Sequence, residues 1–236
     1  KMAAMGEMIE NIAHQWRQPL SVISTISSSL KIKKEMNMLD DKEFYEALQN
    51  INKTSEHLSN TIDDFRNFFS PNKEMNKFYV SQLIKKSKDL IKSRFDKFNI
   101  KVIENIDDIE ILSYQNELFQ VILNLFSNSI DVLSSSQIEN KIIYIKIYHD
   151  ENNLYIEFLD NGGGIKDEFI NRVFEPYFTT KHKSQGTGIG LYMSLQIVTK
   201  HLNGEISVKN DTFIENNIAY FGAKFTILLP IHPKNS

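Results

Sequence analysis

Cysteine is absent from the 236 residues, and with it go disulfide frameworks, thiolate metal sites and thiol nucleophiles. Any metal must be held by oxygen or imidazole. No run reaches the roughly 18 apolar residues of a membrane helix; the uncharged stretch Leu118 to Ile130 is interrupted by Gln120, Asn124 and Asn128. An excess of positive charge is lacking too. With a formal net charge of -3, the chain has no general electrostatic affinity for nucleic acid or anionic membrane, so phosphate binding must be local. What is present is ordinary: 41% hydrophobic and 24% charged residues suffice for one or two cores and exclude wholesale disorder. The first twenty residues carry Glu7, Glu10 and Arg17 without a signal-peptide core, and the chain opens on Lys1. It reads as a piece cut from a longer protein.

Apolar or large residues at Met5, Ile9, Ile12, Trp16, Pro19, Ile23, Ile26 and Leu30 alternate steps of four and three, a heptad seam. A second seam runs through Phe44, Leu48, Ile51, Ser55, Leu58, Ile62, Phe65 and Phe69. Two helices of similar length follow, with Asp40 or Asp41 as the cap of the second. They predict an antiparallel hairpin ended by Ser70-Pro71-Asn72. One hairpin buries both seams poorly, so pairing with a second copy into a four-helix bundle is expected.

From Phe78 the pattern changes to strands at 100–104, 142–148, 154–159, 204–208 and 220–229 and helices at 80–95, 116–133 and 188–202. The expected class is α+β: a helical hairpin, then a mixed or antiparallel sheet covered by helices on one face. The expected divisions are 1–70, a linker at 71–77, a second domain at 78–232 and a tail at 233–236.

Four features carry chemistry. With Ile9 at heptad position a, His14 falls at f and faces solvent, with Glu10 and Gln18 one turn to either side. Pro19 inside this helix deletes a backbone hydrogen bond and costs roughly 3 kcal/mol, an unusual neighbour for an exposed imidazole. On the helix over 116–133, Glu117, Asn124, Asn128 and Asp131 share one face of an otherwise apolar segment. Such amides are either satisfied core groups or the lining of a site for a polar ligand or a hydrated Mg²⁺. Asp160-Asn161-Gly162-Gly163-Gly164 follows a strand, and Gly186-Thr187-Gly188-Ile189-Gly190 precedes a helix. The second aims free N–H groups and a helix dipole at one spot, as phosphate sites do. Between them, Phe174-Glu175-Pro176 leads through Lys181 into a polar stretch that reads as a flap hinged on glycine.

In this order and spacing, His14 in its hairpin, Asn124/Asn128, Asp160-x-Gly162-x-Gly164, Phe174-Glu175-Pro176 and Gly186-x-Gly188-x-Gly190 resemble the H, N, G1, F and G2 boxes of two-component sensor histidine kinases. The resemblance covers nearly the whole chain. It implies a dimerisation and phosphotransfer domain followed by an ATP-binding domain of the gyrase and chaperone ATPase fold. It implies that Asp160 bonds the adenine amino group and that Asn128 coordinates Mg²⁺ with Asn124 facing the phosphates. Gly162, Gly164, Lys181, Gly186, Thr187, Gly188 and Gly190 complete the ATP site it implies.

The implied reaction is autophosphorylation of His14 from ATP and transfer to an aspartate on a response regulator's receiver domain. Two positions depart from the family's commonest pattern. Gln15 stands where the largest subgroup has an acidic residue after the histidine, which leaves Glu10 as the nearest carboxylate on that stripe. Asp131 stands where many members have a basic residue. Gln18 occupies the place from which the family's phosphatases position water. A homodimer in the cytoplasm is expected, part of a larger bacterial sensor that meets membrane only through segments outside this chain. Two alternatives stand beside it: an ATP-binding dimeric scaffold or phosphatase, motivated by Gln15, and an ATPase clamp. The clamp relatives use a Glu four residues before the Mg²⁺-binding Asn, where this chain has Asn124.

Overall fold

The computed structural model describes the backbone of residues 2–68, 74–180 and 188–231, and side chains at 19–56, 58–59, 74–180 and 188–231. These residues fall into two compact units. The first is the expected hairpin of α1 (Met2–Glu35), which runs on through Pro19, and α2 (Asp41–Phe68). Asn37 ends α1 in the left-handed region at φ 54°. Its N–H bonds the Lys34 carbonyl at 3.2 Å, and the Met38 N–H bonds the Lys33 carbonyl at 2.8 Å, which satisfies carbonyls the last turn would otherwise leave open. Asp40 is the cap of α2: its carboxylate accepts the Glu43 N–H at 2.7 Å. Lys33 and Glu43 then pair across the turn.

On α1 the half-buried positions are Pro19, Ile23, Ile26 and Leu30, the predicted seam, with Lys33 beyond it. On α2 they are Glu43, Ala47, Ile51, Thr54 and Leu58, a stripe rotated slightly from the predicted one. The seam residues Phe44 and Leu48 consequently sit at its edge, 38% and 37% exposed. No described side chain of the hairpin is fully buried. Among the described residues, Val22, Ile32, Phe44 and Leu48 stay exposed, so pairing of the two helices alone does not cover the apolar side chains.

The second unit contains β1 (Asn76–Tyr79), α3 (Val80–Phe98), β2 (Ile100–Ile106), β3 (Glu110–Ser113), α4 (Gln115–Ser135), β4 (Lys141–His149) and β5 (Asn153–Asp160). The short α5 (Asp167–Ile170), α6 (Gly190–Gln196), β6 (Glu205–Glu215) and β7 (Ile218–Pro230) follow. The five-stranded sheet has the order β2-β4-β5-β7-β6. Only β2 and β4 run parallel; the other pairs are antiparallel. This is the mixed sheet of the α+β class expected. Alternate residues Ile143, Ile145 and Ile147 of β4 and Leu154, Ile156 and Phe158 of β5 are buried, as are Leu118, Ile122 and Phe126 of α4. The Phe126 ring meets Phe158 edge-on at 5.0 Å and Phe95 of α3 at 5.4 Å. The opposite register carries polar and ring pairs, such as Lys224–Glu157 at 2.8 Å and stacked Tyr148–Tyr155.

All five expected strands are present, but 204–208 is the start of a much longer one. β6 continues to Glu215 and turns into β7 through Asn216 and Asn217, at φ 51° and 63°. Two consecutive left-handed residues match the strand twist in a two-residue hairpin. The strands β1 and β3, four residues each, pair antiparallel and were not expected; β1 begins inside the stretch read as linker. The helix expected over 188–202 starts at Gly190 and ends in a π turn, Ile197–His201.

Candidate functional site

Helix α4 presents the expected polar stripe, and each member has a different fate. Asn124 donates through Nδ2 to the Gly190 carbonyl and to the Ser194 hydroxyl at 3.1 Å. Glu117 meets the His201 ring at 3.1 Å. Asp131 pairs with Arg94 of α3 at 2.7 Å, and the same guanidinium donates to the Ser127 hydroxyl at 3.1 Å. Asn128 differs: its Nδ2 is buried with no hydrogen-bond partner among the described residues. A buried donor left in that state costs roughly 1–3 kcal/mol, a burden that a polar ligand relieves. Asn124 is thus a satisfied amide and Asn128 is not.

Asp160 ends β5 and is 4% exposed. Burial pushes its carboxyl above the usual carboxylate range, against the opposing pull of the Gly162 and Ala223 N–H groups and the Ser129 hydroxyl. The Gly162 N–H lies at 2.9 Å and the Ser129 oxygen at 3.4 Å. Ser129 adjoins Asn128 on α4, which ties the carboxylate to the amide stripe. Gly162 has no room for a side chain: a Cβ there would lie 2.3 Å from Val132 Cγ1 of α4. Gly164, at φ 79°, would drive a Cβ to 2.6 Å from Asn210 Oδ1. That amide of β6 accepts the Ile165 N–H at 2.8 Å and donates to the Ile165 carbonyl at 2.7 Å. It holds the end of the first glycine loop like a neighbouring strand.

The second glycine cluster is held as closely. Gly188, at φ 65°, packs with its Cα against the backbone of Tyr177, 2.4 Å from where a Cβ would be, and its carbonyl accepts the Tyr177 N–H at 2.9 Å. Tyr177 itself is left-handed at φ 66°. A Cβ on Gly190 would lie 2.7 Å from Asn124 Oδ1. The fold therefore brings Asn124, Asn128, Asp160, Gly162, Gly188 and Gly190 to one region around α4, with Gly164 on the loop leading from it. Lys181, Gly186 and Thr187 lie outside the described residues. So do the side chains of Glu10, His14, Gln15 and Gln18, whose backbone belongs to α1. Sequence reasoning missed Arg94, Ser129 and Asn210; each acts across elements and left no local pattern to find.

Residues 4–74 match the family model of the His Kinase A (phospho-acceptor) domain, and residues 113–233 that of the histidine kinase-, DNA gyrase B-, and HSP90-like ATPases. The chain belongs to the sensor histidine kinases of two-component systems. Among its relatives, the signal transduction histidine-protein kinase AtoS of Escherichia coli is 26% identical over all of this chain and 36% of its own length. Sporulation kinase E of Bacillus subtilis is 29% identical over 96% of this chain and 29% of its own. The chain thus spans about a third of the length of these relatives. The fold is that of the histidine kinase ThkA, solved in complex with the response regulator protein TrrA: TM-score 0.73, 23% identity, covering 100% of this chain and 64% of that one.

Proposed function

We propose that this chain is an ATP-dependent protein-histidine kinase that phosphorylates His14 from ATP and passes the phosphoryl group to an aspartate of a response regulator. The observation that carries the reading is the buried, unpartnered Nδ2 of Asn128 beside Ser129, which holds Asp160. In this reading the Asp160 carboxylate, held by the Gly162 N–H at 2.9 Å, accepts from the adenine amino group. Asn128 and the backbone from Gly188 to Gly190 face the phosphates, and Lys181, Gly186 and Thr187 are assigned to the same phosphates by their places in the sequence motifs alone. No group of three His, Asp or Glu residues among the described residues could cage a metal. An amide oxygen donor such as Asn128 suits a Mg²⁺ that arrives hydrated and bound to phosphate. When bound, that ion supplies charge neutralisation to phosphoryl transfer, which needs alignment more than covalent help.

His14 is a suitable nucleophile because an imidazole with the ordinary pKa near 6.5 is mostly neutral at pH 7. Its ring nitrogen attacks the γ-phosphorus, ADP leaves, and the proton on the ring passes to Glu10 or water while Gln15 orients the imidazole. Gln18, four residues on in the sequence, positions water for hydrolysis of the phosphorylated regulator in this reading. The uncovered apolar edge of α2 supports a homodimer through residues 1–70, followed by an ATP-binding domain that runs to 232 and whose first strand, β1, begins at Asn76 within the stretch 71–77 read as linker, with 233–236 a tail. No described helix is long and apolar enough to cross a membrane, and we place the chain in the cytoplasmic part of a larger sensor.

A second reading, an ATP-binding scaffold or phosphatase without autophosphorylation, is favoured only by Gln15. A water-activating ATPase clamp loses support because Asn124 stands at the activating position and is bound to Gly190. Incubation with γ-labelled ATP tests the proposal: wild type should take up acid-labile, base-stable label, and His14→Gln should take up none while binding nucleotide normally. Undiminished label on His14→Gln removes it.

A further inference from the structure

We propose that Arg94, aimed by Asp131 and Ser127, is the cation that faces the nucleotide's phosphates in this chain; the inference rests on the ATP site proposed above. Asp131 lies three residues after Asn128 on the same stripe of α4, and side chains so spaced are neighbours about 5–6 Å apart at Cβ. A bare carboxylate at that place would repel a triphosphate. Arg94 removes the repulsion by pairing with Asp131 at 2.7 Å, and its second terminal nitrogen donates to Ser127 at 3.1 Å. The two partners lie one turn apart on α4, so together they fix the plane of the guanidinium and bring a residue of α3 onto the edge of the amide stripe.

Among the described residues, these bonds use two of the five N–H donors of the guanidinium. Both side chains of the pair remain about a third exposed, so the group is not closed off from a ligand. A planar, always-charged fork with donors to spare suits phosphate oxygens better than a lysine ammonium does. The charge that Asp131 removes from α4 is thereby restored from α3, and Asp131 serves as the positioning residue of the pair.

The test compares ATP with adenosine, which shares the base and ribose but has no phosphate, by titration of the full chain followed by NMR. Arg94→Ala should weaken ATP about tenfold or more and leave adenosine unchanged. Arg94→Lys should recover a part. Adding Asp131→Asn to Arg94→Ala should restore some ATP affinity by removing the negative charge beside the phosphates, without restoring all of it. Thermal unfolding of each variant reports whether the fold is intact. An ATP-to-adenosine affinity ratio unchanged in both Arg94→Ala and Arg94→Lys overturns the inference. Full recovery in the double variant also overturns it, since Arg94 would then be only a counter-ion. If the wild-type chain binds neither ligand, the ATP site itself is wrong, a failure distinct from either.

Discussion

The Asn124 side chain is fastened to the Gly190 carbonyl, the first residue of α6, while Asn128, one turn along the same stripe, has an amide nitrogen with no hydrogen-bond partner among the described residues. Truncating the two should have opposite consequences. Asn124→Ala breaks two hydrogen bonds at a helix start and should destabilise the second unit by about 1–2 kcal/mol. Asn128→Ala removes an unsatisfied buried donor and should leave the melting temperature unchanged or raised, while ATP affinity falls. Calorimetry on the unliganded proteins, with nucleotide titration alongside, checks both. An Asn128→Ala protein that melts well below wild type would mean its amide is structurally satisfied.

Asp160 should show the same opposition through pH. Its folded-state pKa is raised by burial, so the folded state binds the proton more tightly than the unfolded chain does. The stability associated with that proton is present below the ordinary carboxylate pKa and is lost as pH rises through the elevated one. Asp160→Asn removes the loss. The unliganded variant should melt higher than wild type at pH 8, and the gain should shrink as pH falls toward 4. Nucleotide binding should disappear. Melting curves at several pH values decide it, and a gain that does not vary with pH would count against the assignment.

Dimerisation can be separated from hairpin formation. Leu48 lies at the uncovered edge of α2, whereas Ile51 is half-buried on the stripe that recurs along the helix. Leu48→Glu should dissociate the dimer with helical content retained. Ile51→Glu should lower helicity as well. Light scattering with circular dichroism distinguishes the cases; a Leu48→Glu protein that stays dimeric would place the interface elsewhere.

The β6–β7 turn should be improvable. Asn217 is held at φ 63° in the second position of a two-residue hairpin, where glycine is the preferred residue. Asn217→Gly should stabilise the second unit by about 0.5 kcal/mol, since the strain relieved exceeds the added freedom of the unfolded chain. Denaturant midpoints measure the change.

What could be read from the chain before folding follows from where each signal is stored. Helices α3 and α4 and strands β4, β5 and β7 carry their own periodicity, so their spans came out nearly right. The outer half of β6 did not, because Asn210, Asp211 and Thr212 read as loop residues and the turn that follows has no glycine. The strands β1 and β3 are too short for a period to register; each is a strand only because the other lies beside it. The same distinction holds at the site. Asn128, Asp160 and the glycines stand in local motifs, whereas Arg94 and Asn210 find their partners 37 and 45 residues away. The stripe of α2 shifted slightly because packing against α1 set its rotation, which heptad counting on one helix cannot supply.

The bond between the Tyr177 N–H and the Gly188 carbonyl pins these two residues at 2.9 Å, and Gly188 leads directly into α6, whose first carbonyl Asn124 holds. A side chain at Gly188 would meet the Tyr177 backbone at 2.4 Å. Enlarging that one residue would therefore act as a wedge, prising the start of α6 away from α4 and loosening the grip of Asn124 without touching Asn124 itself.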